Sequence, residues 1–467
     1  MHSGNAIEFG HGDPIAPVIL GVTSILLFAV IGRILARRLG QPTVLGELLM
    51  GIVLGNIAWY LGFDLITVLR EGPRVFEVVN QTLSGMPVHE VAVAVFGETV
   101  GLDIARIVTG PAGGQVMQVA QTVDVFSRYG VIFLLFMVGL EADVDEMMRV
   151  GAESIRVALI GVLLPISLGF AAVWLLRPEL SLSSNLFIAS TLGATSVGIT
   201  ANVLQEIGHG RSREASIILG AAVGDDILGL VILAVVSGIV VTGSVSMPDV
   251  LSVIALSALF LGGAIYLGPK VVRFGANLMH RLDIVEAKMF TSYLFVMVLA
   301  WAANLVGLAT IIGAFAAGII LSDAYFHRHE VAGGQSLSIR ELIMPLEVIL
   351  LPIFFILMGI QVKIETFLSW PVLTVAAGLL VAGIIGKLAS GLGASRTSNR
   401  LAIGIGMMPR GEVGLVFAAI GRTLGVIDDA IFSAIVLMVM VTTLMAPPWL
   451  KHELKKDATA SGQVNVG

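Results

Sequence analysis

The chain has 467 residues, of which 56% are hydrophobic and only 13% charged, against roughly a quarter charged in a soluble globular domain. A mean hydropathy of +0.96 excludes a soluble enzyme, a nucleic-acid binder and a disordered chain, so the surrounding medium is lipid. There is no cysteine, hence no disulfide framework, thiolate metal site or cysteine nucleophile, and the net charge of −6 is spread over short loops.

Residues 1–17 lack a basic n-region and a small-residue cleavage site, so the first apolar run is expected to be a retained helix. A spanning helix needs about 20 mostly apolar residues. Thirteen runs are candidates: 16–39, 43–61, 125–142, 153–176, 185–206, 214–242, 249–268, 289–307, 309–323, 344–361, 371–391, 401–422 and 429–449. The pattern predicts an all-α polytopic membrane protein of about 13 transmembrane helices. The short tail after the last run leads us to expect no cytosolic regulatory domain.

Lysine and arginine orient the chain. With the N-terminus outside, the inner loops hold 17 of the 27 basic residues and the outer loops seven; Arg156, Lys387 and Arg410 fall inside spans. This places the C-terminus in the cytoplasm, where the Lys-rich tail agrees. The long outer segment 62–124 mixes polar residues with short amphipathic stretches such as 88–96, and reads either as a cap of short helices or as a mobile loop.

Residues 43–56, TVLGELLMGIVLGN, match 310–323, TIIGAFAAGIILSD, at an offset of 267. Residues 133–143, FLLFMVGLEAD, match 353–363, IFFILMGIQVK, at an offset of 220. The matched spans run in opposite directions. The chain is therefore expected to contain two inverted five-helix repeats, spans 2–6 and 9–13, an architecture of secondary transporters with the site at the midplane between repeats.

Helices broken at equivalent places in the two halves point to that site. Span 5 carries Leu192-Gly-Ala-Thr195-Ser196-Val-Gly198, and span 12 carries Gly406-Met-Met-Pro409-Arg410-Gly-Glu412-Val-Gly414. Pro409 cannot donate a helix hydrogen bond, and glycine tolerates unwinding. Unwound backbone at this depth is tolerated where it lines a cavity; the bland alternative is a pair of packing kinks.

Span 6 carries Asp225 and Asp226 near its middle. Each costs roughly 2.5–3.5 kcal/mol on insertion scales, more than helix association requires. Carboxylates bind protons and also hard cations such as sodium, so the pair can exchange one for the other. Lys387, deep in span 11, needs a partner, and an aspartate of span 6 is the obvious one. Arg410 either neutralises helix C-terminal carbonyls or pairs with an acid, and Glu412 is either its structural partner or a ligand. Glu47 reads as structural, and Glu141 as a solvated residue at the inner surface.

The stretches FMVGLEAD at 136–143, GATSVGIT at 193–200, AAVGDDILGLV at 221–231, IIGKLASGLGA at 384–394 and MPRGEVGLVFA at 408–418 together resemble the monovalent cation:proton antiporters. The similarity is to their second branch, the NapA-like sodium/proton antiporters, related more distantly to NhaA. It implies the NhaA/NapA-like fold with crossed, broken helices. It implies Asp226 as the essential ion- and proton-binding carboxylate, Asp225 as its partner, Lys387 as the lysine paired with the span-6 acid, and Thr195 and Ser196 as the unwound ligand stretch. Pro409, Arg410 and Glu412 would support the crossing.

The resemblance further implies electrogenic exchange of Na+ or Li+ for H+, serving pH homeostasis. The moving core would be 153–242 and 371–449, carried elevator-like against dimer and scaffold helices 16–61, 125–142 and 249–361. The expected partners are the cation, the proton, membrane lipid and a second copy in a homodimer, with no cofactor and no nucleic acid. A bacterial inner membrane is the expected location. Potassium/proton exchange is the alternative. An intramembrane aspartyl protease is a remote one, because no other span has a central aspartate.

Overall fold

A computed structural model describes residues 13, 15–141, 151–206, 209, 212–242, 247–279, 282–322, 325–326 and 337–460. Lipid offers backbone groups no hydrogen bonds, so the chain satisfies them internally as helices, and no strand occurs among the described residues.

Helices α1 (Ala16–Arg38) and α2 (Thr43–Tyr60) lead into four short helices: α3 (Asp64–Glu71), α4 (Arg74–Leu83), α5 (Val88–Phe96) and α6 (Glu98–Thr109). Then come α7 (Gly113–Glu141), α8 (Ala152–Leu176), α9 (Leu182–Ser190), α10 (Val197–Glu206), α11 (Arg213–Thr242) and α12 (Met247–Leu278). The chain continues through α13 (Ile284–Leu305), α14 (Thr310–Ile320), α15 (Ile339–Ile360), α16 (Trp370–Ser390), α17 (Arg400–Gly406), α18 (Glu412–Thr423) and α19 (Asp429–Ala460).

Nine helices among the described residues are long and apolar enough to cross a membrane: α1, α2, α7, α8, α11, α13, α15, α16 and α19. The other four expected passes fall on the 32-residue α12, the 11-residue α14 and the interrupted pairs α9–α10 and α17–α18.

One boundary differs from the sequence reading. The helix that carries the third span begins at Gly113, so residues 113–124, expected within the long segment 62–124, are helical. Nothing breaks the helix between Gly113 and Glu141, and Val119, Ala120 and Val123 are buried in the main core. The segment itself is a docked cap: Val78, Val91, Ala92 and Ala105 form its own small cluster, while Ile66, Val68, Leu69 and Ile104 join the main core.

The repeat is visible as paired close approaches. A methyl on Gly51 of α2 would lie 2.3 Å from the Ile356 carbonyl oxygen of α15, and one on Gly359 would lie 2.2 Å from that of Leu48. The offsets of 267 and 220 carry Gly51, Leu48, Phe136 and Gly139 onto Gly318, Phe315, Ile356 and Gly359. The mate contact is present: methyls on Gly318 and Gly139 would lie 2.2 Å from the Phe136 oxygen and 2.3 Å from the Phe315 oxygen. Likewise Gly46 abuts the Gly32 oxygen as Gly313 abuts the Leu299 oxygen, residues again 267 apart. The equivalent contacts therefore include the helix before each five-helix repeat, α1 and α13.

Packing divides the helices. Helices α8, α9, α11, α16, α17 and α19 associate with one another, as do α1, α2, α7, α13, α14 and α15; α12 touches both groups through α11, α13 and α14.

Candidate ion-binding site

The first interruption unwinds residues 191–196 between α9 and α10, and the second unwinds 407–411 between α17 and α18. They cross at backbone contact distance: the Ser196 amide donates to the Pro409 carbonyl at 2.8 Å. An interrupted helix strands its last carbonyls, and here side chains satisfy them. The Thr200 hydroxyl donates to the Gly406 carbonyl at 2.7 Å, and the Thr195 hydroxyl, its one proton shared with Asp225, lies 3.0 Å from the Met407 oxygen. Lys387 and Arg410 donate to the Gly193 and Leu192 carbonyls at 2.6 and 2.7 Å. Both cations thus sit at the negative dipole end of α9. Arg410 caps carbonyls, one of its two expected roles, and its own carbonyl accepts from the Thr443 hydroxyl.

Helix α11 brings its acids to this crossing. Lys387 Nζ lies 2.5 Å from Asp225 Oδ2, and the Thr195 hydroxyl donates to the same oxygen at 2.5 Å. Asp225, Lys387 and Arg410 are fully buried and Asp226 is 4% exposed, so Lys387 does not snorkel to the membrane surface. Among the described side chains, two acids and two bases are enclosed here. A desolvated group of this kind is stable only when paired and hydrogen-bonded; among the described residues, Asp225 Oδ1 and Arg410 Nε have no hydrogen-bond partner.

Asp225, Thr195, Lys387, Pro409 and Arg410 come together; Ser196 joins through its backbone, and Asp226 follows in the next position of α11. The side chains of Glu412 and Glu141 lie outside the described residues. Glu47 is elsewhere, with Arg33 Nε 2.6 Å from its Oε1. Lys288 is buried in α13 and donates to the Leu337 carbonyl at 3.1 Å.

Sequence reasoning missed Thr200 and Thr443, whose only signal was a hydroxyl in an apolar span. It also missed two glycines. A methyl on Gly161 would lie 3.6 Å from Asp225 Oδ1, and one on Gly383 only 2.2 Å from an Arg410 nitrogen. Gly383 therefore makes the room that Arg410 occupies.

Inverted repeats, two interrupted helices that cross, and a buried acid–base group at the crossing define a polytopic secondary transporter. The chain matches the family described as "Sodium/hydrogen exchanger, transmembrane" over residues 82–456, and it belongs to that family. It is 35% identical to the high-affinity Na(+)/H(+) antiporter NhaS3 of Synechocystis sp., over 94% of this chain and 90% of that protein. It is 30% identical to the Na(+)/H(+)-K(+) antiporter GerN of Bacillus cereus, over 92% and 95%, and to an Na(+)/H(+) antiporter of Enterococcus hirae, over 94% and 98%. The fold is similar to that of the sodium proton antiporter MjNhaP1 of Methanocaldococcus jannaschii, with a TM-score of 0.61 at 17% identity over 95% of this chain and 99% of that one.

Proposed function

We propose that this multi-pass membrane protein exchanges Na+ or Li+ for H+, electrogenically, by carrying the crossing helices as a core past a scaffold. The observation that carries the reading is the buried Asp225–Lys387 pair at the crossing, with Asp226 beside it on α11. Asp226 binds the dehydrated cation with oxygens from the 195–196 stretch and water. Cation entry opens the Asp225–Lys387 pair, the core moves, and protons return on the carboxylates or on Lys387. Residues 153–242 and 371–449 form the core; 16–61, the membrane part of α7 and 249–361 form the scaffold and the homodimer surface. The division of the packing into two groups supports this partition. The proposed setting is a bacterial inner membrane with the N-terminus outside.

Proton flux in proteoliposomes under Na+, Li+ and K+ gradients tests the reading. Flux driven by Na+ and Li+ but not K+ supports it. Flux driven by K+ alone selects potassium/proton exchange, which the Bacillus cereus relative's Na(+)/H(+)-K(+) designation keeps in play. No cation-driven flux overturns both.

A further inference from the structure

A second group of charges lies at the capped end of the bundle, apart from the crossing. Arg70 and Glu71 in the last turn of α3 and Arg422 in the last turn of α18 are almost wholly buried. Arg422 donates to Gln361 Oε1 at 2.8 Å and to the Arg70 carbonyl at 3.0 Å, and lies 2.6 Å from Asp429 Oδ1. Lys363 lies 2.6 Å from Asp429 Oδ2 and 2.8 Å from Glu71 Oε1. Arg70 donates to Asn56 Oδ1 at 2.8 Å and to Glu365 Oε2 at 2.5 Å, with its guanidinium 4.1 Å over the Trp59 ring.

The network ties together four stretches distant in sequence. Asn56 belongs to α2, and Arg70 and Glu71 to the cap. Gln361, Lys363 and Glu365 lie in the connection from α15 to α16, and Arg422 and Asp429 at the turn from α18 to α19. The first two are on the scaffold side, the third links scaffold to core with its 364–368 turn packed on α16 and α19, and the last is on the core. Exposed ion pairs contribute little, but removing one partner from a buried, hydrogen-bonded pair is strongly destabilising. Bonds of this length do not survive a slide of the core by a few ångströms. Beside them, a cavity of about 470 Å³ lies between the two groups, lined by Pro73, Gln361 and Thr423 with Ser237 from α11.

We propose that this network is a latch that fastens the core to the scaffold at the capped end. Arg422 and Lys363 are its positioning residues, and α3 of the cap supplies its scaffold half. The inference rests on the core-and-scaffold reading above. Release of the latch frees the core to move and widens the cavity between the two groups.

Because the chain has no cysteine, two can be introduced without background. Leu83→Cys in the cap and Leu175→Cys at the end of α8 are both largely exposed positions. Their nitroxide separation, read by pulsed electron paramagnetic resonance in liposomes, needs no ion flux. The otherwise unaltered protein should give one dominant distance. Arg422→Gln and Lys363→Gln should each raise the population of a second distance about tenfold. Arg177→Gln, which removes only the exposed Arg177–Glu179 pair, should change nothing. If Arg422→Gln does not fold, Asp429→Asn tests the carboxylate that both cations share. An unchanged distribution in folded Lys363→Gln and Asp429→Asn overturns the latch, as does an equal change in Arg177→Gln. Failure of the exchange reading would show separately, as absent cation-driven flux in a protein whose distances still respond.

Discussion

Lys387 donates at once to the Asp225 carboxylate, at 2.5 Å, and to the Gly193 carbonyl at the end of α9, at 2.6 Å. One ammonium group thus holds an acid of α11 and the stranded backbone of the first interrupted helix. On the proposed mechanism, a cation that opens this pair strips Lys387 of its counter-charge; the lysine proton and one carried by the Asp226 carboxyl would then leave, two for each Na+ that enters. A membrane potential acts on the net charge with about 2.3 kcal/mol per charge per 100 mV, so turnover in proteoliposomes should follow an imposed potassium–valinomycin potential. Lys387→Ala should weaken or abolish that dependence. Equal turnover with and without the potential would favour electroneutral exchange.

The same pair sets a stability prediction. Lys387→Ala leaves the Asp225 carboxylate buried without its cation, which should cost about 3–5 kcal/mol and lower the thermal midpoint in detergent. Adding Asp225→Asn removes the orphaned charge and should restore part of the loss. A double variant no more stable than Lys387→Ala would mean that the pair is not coupled in the folded protein.

Asp226→Asn keeps the side chain's shape and removes its titratable charge. Cation-driven proton movement should vanish while the variant folds and elutes like the parent. Exchange at the parent's rate would remove Asp226 from the site.

The paired glycine contacts predict large effects from single methyl groups. Gly51→Ala and Gly318→Ala each drive a carbon into a facing carbonyl oxygen, so each should destabilise by about 1–3 kcal/mol through overpacking. Gly262→Ala in α12 meets nothing within 4 Å and should be neutral or stabilising, because alanine favours the helix by about 1 kcal/mol. Thermal unfolding of the three variants separates the cases.

A core that moves needs a fixed surface to move against, so the exchanger should be a homodimer through its scaffold, α1 included. Native mass spectrometry from lipid together with single-molecule counting in bilayers would settle the state, and a monomer in both would refute it.

Helix positions were legible because lipid imposes long apolar runs, and the repeat was legible where close packing demands glycine, at Gly46, Gly51, Gly139 and their mates. The equivalent contacts at α1 and α13 were not. The Gly32–Gly46 approach has Leu299 in place of the first glycine, and only the backbone oxygen is shared. The interruptions announced themselves through Pro409 and glycine. The start of α7 did not, since a polar helix continuing out of the membrane resembles a loop in composition. Arg70, Lys363 and Arg422 read as ordinary loop charges, because what distinguishes them is partners that are mostly tens to hundreds of residues away.

The cap has a consequence for energy. In a chain built from two inverted halves, exchanging the conformations of the halves re-forms equivalent contacts with the opposite face open. To first approximation the two states are then degenerate. Among the described residues the helices of 62–112 have no counterpart in the second half, and the offsets of 267 and 220 differ because the chain is longer here by 47 residues. The cap's packing on the scaffold is common to both states, but its hold on the core, through the Arg70 carbonyl and Arg422, would be counted in one state and absent from the other. The imbalance between the two faces is written in this one unrepeated segment.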